Sequence, residues 1–455
     1  MSAVLGDNPG WRVRLWYALP ALALAVPTVP VFVYLPKFYA QDIGLGLAAT
    51  GTVLLAARIV DVVSDPVIGL LSDRMPVRLR GASLGRRKPW IAIGGVLSFI
   101  ALLRLFHPGS EPNVFEFLGW VTLLYVGWTM VSVPYTAWGA ELSTDYHGRA
   151  RITAARETAT LAGILISGGV PALGTAVGLE EGEALALLSW LTAIIGAVTI
   201  MSLLWCVPET GVPKTTSRIR LLGRELVPNL IRNRPFLRLV SAWFLNGLAN
   251  GLPAVLFLLY MEHALGADSE QRAGLILTYF VAAIAGIPLW MQLSRRWSKH
   301  RTWSAAMVIA CVAFIFVPFI SEGQMLVFGA VCVVTGLALG ADLYLPPAIQ
   351  ADVVDLDELR SGERNAGIYF ALWSMATKLA LACAVGFAFP ALDALGFDPS
   401  GQSSDGILAL VLIYSAIPVV LKSAAISMVW NHPISERRHR IIRRRLGSRK
   451  VATAT

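Results

Sequence analysis

Charge is scarce in this 455-residue chain. Only 15% of the residues are Asp, Glu, Lys or Arg, against about a quarter in a soluble globular protein. With 56% hydrophobic residues and a mean hydropathy of +0.63, that excludes a soluble enzyme and a disordered chain. Cysteine is scarce too. Cys206, Cys311, Cys332 and Cys383 all lie in apolar runs without disulfide or metal spacing, so no disulfide scaffold is built from them and packing is their expected role. Histidine is absent from the middle of every apolar run: His107, His147, His263, His300, His432 and His439 fall near run ends or in loops. Nothing there makes a nucleophile–base pair or a metal cluster, so neither enzyme chemistry nor a cofactor is expected. No stretch alternates like a ~10-residue membrane strand, which excludes a β-barrel.

What the chain does contain is blocks of about 20 or more apolar residues, each long enough to cross a bilayer of roughly 30 Å. They predict twelve helices over residues 14–36, 45–72, 86–106, 115–142, 150–178, 184–206, 236–262, 270–294, 301–320, 324–350, 364–392 and 405–430. The first block is long and leads into a second span, so it reads as a retained helix and not a cleaved signal peptide. A net charge of +9 is compatible with nucleic-acid binding, but the basic residues sit between blocks and at the C-terminus, where topology explains them. One set of loops carries Arg74, Arg78, Arg80, Arg86, Arg87 and Lys88, then Arg149 and Arg151, then Lys214 to Arg234, then Arg295, Arg296 and Lys299. The opposite loops carry acids such as Glu180, Glu181, Glu183, Asp268 and Glu270. Both termini are therefore expected on the cytoplasmic side of the inner membrane, with bilayer lipid as a partner.

The longest polar stretch divides the chain into a first bundle (1–208), a central cytoplasmic loop (209–235), a second bundle (236–430) and a basic tail (431–455). The loops after the fourth and tenth helices, ELSTDYHGRARITAARE and QADVVDLDELRSGERNAG, both place acids before an Arg-containing cluster and a new helix. The expected fold is an all-α polytopic membrane protein of twelve transmembrane helices in two six-helix pseudo-symmetric bundles. A duplicated unit of this kind is the signature of a rocking transporter with its site where the halves meet.

Ionisable residues inside spans cost roughly 2.5–3.5 kcal/mol or more at the bilayer centre and mark function. The second helix carries Arg58, Asp61 and Asp65 at offsets of three and four, on one face. Two carboxylates that close repel, so the pair suits a proton or a small cation. Lys378 stands alone in the eleventh helix and calls for an acidic partner, which Asp61 or Asp65 can supply. Arg156, about two turns into the fifth helix, reads equally as a contact to substrate oxygens or as a partner of Glu141 or another loop acid. Lys422, nearer the end of the twelfth helix, is expected to snorkel. A solute cavity is expected to draw on Tyr125, Trp128 and Thr129, on Asn246 and Asn250, and on Tyr369 and Trp373.

The segments RIVDVVSDPVIGLLSDR, GRRKPWIAIG, PYTAWGAELSTDYHGR and DVVDLDELRSGERNAGIYFALWSMATK resemble the glycoside–pentoside–hexuronide:cation symporters of the major facilitator superfamily, typified by the melibiose carrier. The resemblance runs in order through most of the chain. It implies that Asp61 and Asp65 are cation-site carboxylates with Arg58 one turn earlier, that Lys378 serves coupling, that Arg156 contacts sugar, and that residues 85–90 belong to a cytoplasmic gate. Two departures stand out. The acid that holds sugar hydroxyls in the first helix is missing from LPALALAVPTVPVF, where Ala25 lies near that position, and Ser132 replaces an acid on the fourth helix. Fewer oxygens suit sodium less and leave a proton, which needs one carboxylate, as the favoured coupling ion.

The resulting expectation is a monomeric cation-coupled symporter, using H+ or Na+, that moves a small organic solute, a glycoside or sugar derivative, by alternating access. Its gate would use Asp73, Arg74, Arg86, Arg87, Glu141, Asp145 and Arg149 from the first half, and Asp352, Asp355 and Arg364 from the second. No metal is expected beyond a transported Na+, and no nucleic acid. A lysolipid or other amphiphile carrier of the same fold is the alternative; a non-transporting sensor comes after it.

Overall fold

The computed structural model describes residues 10–74, 78–79, 82–83, 85–109, 113–142, 146–209, 233–361, 366–398 and 404–431, with isolated positions beyond. Twelve helices among these residues are long and apolar enough to span a membrane. They are α1 (Trp11–Asp42), α2 (Leu47–Arg74), α3 (Lys88–Phe106), α4 (Val114–Glu141), α5 (Tyr146–Ala176), α6 (Glu181–Cys206), α7 (Arg234–His263), α8 (Ser269–Arg296), α9 (Lys299–Phe316), α10 (Met325–Ser361), α11 (Ala366–Ala394) and α12 (Ser404–Val429). A two-strand ribbon, β1 (Arg78–Leu79) and β2 (Ala82–Ser83), follows α2. The twelve predicted helices are all present. Their ends differ where polar residues prolong a helix past its apolar part: α10 continues through DVVDLDELRS to Ser361.

The described residues fall into two compact units. The first takes those within Met1–Lys214, Asp268–Leu277 and Val385–Asp393; the second takes those within Thr215–Ala267, Thr278–Ala384 and Ala394–Thr455. In the first, α1 packs on α5 and α6, α3 on α4 and α6, and α2 on α4. In the second, α7 packs on α12, and α9 on α10 and α12. Three of these pairings (α1–α6, α3–α4, α3–α6) recur six helices later. Small residues allow the approach, as is usual where helices pack in lipid. A Cβ on Gly94 of α3 would lie 2.7 Å from the Gly127 carbonyl of α4.

Helix α1 is broken for a reason legible in its prolines. Pro27 and Pro30 lack the N–H that carbonyls four residues earlier would accept, and the α-helical part ends at Ala25, with a π-helical turn at Pro30–Tyr34. The fully buried Ser167 of α5 repairs the gap. Its hydroxyl donates to the Val26 carbonyl, which Pro30 cannot serve, and accepts from the Val29 N–H at 3.1 Å. Ser167→Ala leaves both backbone groups buried and unsatisfied. A loss of about 1–3 kcal/mol is expected, read as a lowered melting temperature in detergent, with Ser167→Thr much milder.

Candidate functional site

Within the first unit, α2 turns Arg58, Asp61 and Asp65 toward α4. Arg58 and Asp61 are buried and Asp65 is half-buried. Arg58 Nη1 donates to Asp61 Oδ2 at 3.0 Å. Its guanidinium also lies 4.0 Å from the Tyr125 ring centroid and 4.4 Å from that of Phe32. Two aromatic faces and a carboxylate together offset the cost of holding that charge in an apolar span. Thr129 of α4 completes the cluster. Its hydroxyl oxygen lies 3.0 Å from Asp61 Oδ1 and 2.9 Å from Asp65 Oδ1. Thr129 was expected to line the solute cavity; the structure sets it between the two carboxylates, because α4 crosses α2 at that level.

The chemistry of that contact is restrictive. A threonine hydroxyl carries one hydrogen and can donate to one carboxylate at a time. The other oxygen–oxygen contact needs a proton on the second carboxyl, donated back to Thr129, or a cation beside the three oxygens.

Beside it, a cavity of about 280 Å³ is lined by Thr28, Trp128, Ser132, Thr136, Arg156 and Thr160, among others. Three of the expected residues, Trp128, Ser132 and Arg156, thus share one space. Arg156 does take an acidic partner: its Nη2 donates to Glu157 Oε1 at 2.6 Å. Sequence reasoning missed Glu157 because adjacent helix residues point apart on average, and only long side chains bridge them. A second cavity of about 280 Å³ lies between α1, α3, α4 and α6, with an almost wholly apolar lining that includes Pro20, Ala23, Pro27, Phe99, Val131 and Ile200. The two cavities share Leu24 and Trp128 as walls, at the break in α1. Non-helical backbone at membrane depth is tolerated where it lines a cavity, and here Pro27 of the break lines the apolar one.

The second unit corrects three expectations. Lys422 does not snorkel. It is 3% exposed, and its Nζ donates to Asn246 Oδ1 and Asn250 Oδ1, both at 2.7 Å. Those amide oxygens therefore face a lysine and not a solute cavity. The reason is local: α7 presents two carbonyl oxygens one turn apart, which solvate the ammonium better than a strained reach to the membrane edge. Asn250 Nδ2 donates in turn to Asp342 Oδ2 at 2.7 Å, and Trp303 Nε1 donates to Asp342 Oδ1 at 2.6 Å. Asp342 was overlooked, although the rule applied to Lys378 finds it: it is a lone carboxylate in the apolar run of α10. Tyr369 is a core residue. It is 2% exposed, packs edge-on against Phe236, and accepts from Asn233 Nδ2 at 3.0 Å. Trp373 stacks on Trp243 at 4.6 Å. Lys378 is half-buried on α11; it belongs to the second unit and the carboxylates of α2 to the first.

Of the expected gate residues, Arg86 and Arg87 donate backbone N–H groups to Glu209 Oε1, each at 2.7 Å. Gly85, at φ +92°, makes that turn. Lys299 Nζ binds both Asp352 oxygens at 2.7 and 2.8 Å, and Asp355 is half-buried on α10. Asp145 and Arg364 lie outside the described residues, as do the side chains of Asp73, Arg74, Glu141 and Arg149. Near the other end of the first unit, Glu181 Oε2 accepts from Arg272 at 2.7 Å and from Lys37 at 3.3 Å. Glu181, read from sequence as a loop acid, is thus partnered by two bases.

Residues 16–436 match the family described as MFS/sugar transport protein. Among curated proteins, the human sodium-dependent lysophosphatidylcholine symporter 1 is 24% identical over 87% of this chain and 78% of its own length. A glucuronide carrier protein homolog of Escherichia coli is 21% identical over 98% of this chain and 97% of its own. Among solved structures, a D-xylose-proton symporter superposes with a TM-score of 0.65 at 15% identity, covering 93% of this chain and 98% of that one; at that identity the likeness speaks for the fold.

Proposed function

The chain belongs to the MFS/sugar transport protein family, whose members and structural neighbours are transporters and not enzymes, and on that premise we propose that it is a proton-coupled symporter of a glycoside or related sugar derivative. Within the family we place it with the glycoside–pentoside–hexuronide:cation symporters. The carrying observation is the Thr129 hydroxyl held between Asp61 and Asp65. Three oxygens at that spacing are one proton short of a closed set of hydrogen bonds. Arg58 bonds Asp61, and the half-buried Asp65, the more accessible of the two carboxylates, is the seat of the transported charge in this reading. Three oxygens also make a thin shell for sodium, which supports a proton over Na+.

The adjoining cavity suits the head of an oxygen-rich solute. Ser132, Thr136 and Thr160 offer hydroxyls, and Arg156 offers a fork for a carboxylate or paired hydroxyls. Trp128 supplies a ring face. In this reading residues 1–208 and 236–430 are the two moving bundles of an inner-membrane carrier with both termini in the cytoplasm. Lys378 and the charges after α2, α4 and α10 serve coupling and gating.

Counterflow and gradient-driven uptake in proteoliposomes test this. Radiolabelled methyl glucuronide and methyl glucoside are offered with an imposed pH gradient, a sodium gradient, or neither. Accumulation with the pH gradient alone is the expected result. Accumulation that needs sodium would replace the proton, and uptake indifferent to both ions would end the symport reading. A second reading has its own support in the apolar cavity that shares Leu24 and Trp128 with the polar one. A single-chain amphiphile could place its head by Arg156 and its tail there. Uptake of labelled lysophosphatidylcholine in the same vesicles, with none of either glycoside, would favour it.

A further inference from the structure

The buried charge cluster of the second unit has no part in the mechanism above. Four helices contribute: Asn246 and Asn250 of α7, Trp303 of α9, Asp342 of α10 and Lys422 of α12. Lys422 and Asp342 make no direct pair. The Asn250 amide stands between them, its oxygen toward the ammonium and its nitrogen toward the carboxylate. An ammonium has only donors, so both amide oxygens must face it. That orientation leaves Asn246 Nδ2, on a wholly buried residue, without a partner among the described residues. A lysine kept for packing alone is hard to justify there, since apolar residues of similar volume serve as well as a buried ion pair or better.

Two carbonyl-type oxygens at 2.7 Å and a balancing carboxylate one amide away are the parts of a site for a monovalent cation. They replace the water shell that such an ion loses on entering the membrane. We propose that this cage is a monovalent-cation site of ammonium size, filled permanently by the chain's own Lys422, so that the second unit carries a tethered cation where a free one would otherwise bind. One consequence rests on the cation-coupled reading given above: a single transported cation per cycle, at the Asp61–Asp65 cluster.

Lys422→Ala removes the tether and leaves the cage. The full-length variant is purified in detergent and melted in methylammonium chloride or in choline chloride, whose cation is too large to enter. Methylammonium is expected to raise the melting temperature saturably, on the order of 2–4 °C. No such rise is expected in the unsubstituted protein, where the site is full, or in Lys422→Ala/Asp342→Asn, where the balancing charge is gone. Equal melting in the two salts, or the same rise in all three proteins, overturns the proposal. Should Lys422→Ala be hard to recover, recovery becomes the readout. Monodisperse protein only after extraction in methylammonium supports the site; loss in both salts, while the double variant survives in both, overturns it. No solute flux enters this experiment. A failed rescue leaves the Asp61–Asp65 reading standing, and a transporter indifferent to cations leaves the cage standing.

Discussion

Asp65→Asn is expected to abolish uphill accumulation while sparing solute exchange. One proton moving through 100 mV supplies about 2.3 kcal/mol, so the accumulation ratio should fall by roughly fortyfold, to unity. The asparagine keeps the shape of the side chain but cannot carry the exchangeable proton. Solute counterflow needs no net ion movement and should continue. Asp61→Asn should behave differently although it stands one turn away. It strands Arg58, whose Nη2 already lacks a partner among the described residues, and removes the carboxylate at 3.0 Å. Leaving that cation buried should cost about 3–5 kcal/mol of stability. The Arg58→Leu/Asp61→Leu pair should recover folding without recovering accumulation. Comparing uptake with melting temperature across the three variants separates the two roles. Equal behaviour of Asp61→Asn and Asp65→Asn in both assays would contradict this division of labour.

Asp342→Ala should unfold the second unit more readily than any other single change to its core, by about 3–5 kcal/mol. The substitution takes away the acceptor of both Trp303 Nε1 and Asn250 Nδ2. It also leaves Lys422, 3% exposed, with no balancing charge among the groups bonded in its cluster. Asp342→Leu/Lys422→Met removes both charges together and should return most of the loss, since a neutral pair of similar volume avoids the desolvation cost. Denaturant or thermal unfolding of the unsubstituted protein, Asp342→Leu, Lys422→Met and Asp342→Leu/Lys422→Met in one detergent completes a double-substitution cycle. A coupling energy near zero would mean that Asn250 does not link the two charges.

Some of this was legible in the chain before any fold was known. Apolar runs of membrane length mark the twelve helices because lipid forces every backbone group to bond within its own segment. Arg58, Asp61 and Asp65 share a face because the helix repeat puts them there, whatever surrounds them. The break in α1 could be read from Pro27 and Pro30. Its repair by Ser167, 138 residues from Val29, could not.

Periodicity and composition therefore determined the helices, their number and which of them carry charge, since these depend on the chain's local geometry and on the bilayer's thickness. Tertiary structure alone decided what each charge touches. Lys422 met two amides of α7 and not the membrane edge, Thr129 met two carboxylates, and Arg156 met Glu157. A charge in an apolar medium takes the nearest polar group that packing provides, and packing brings together residues that sequence keeps far apart.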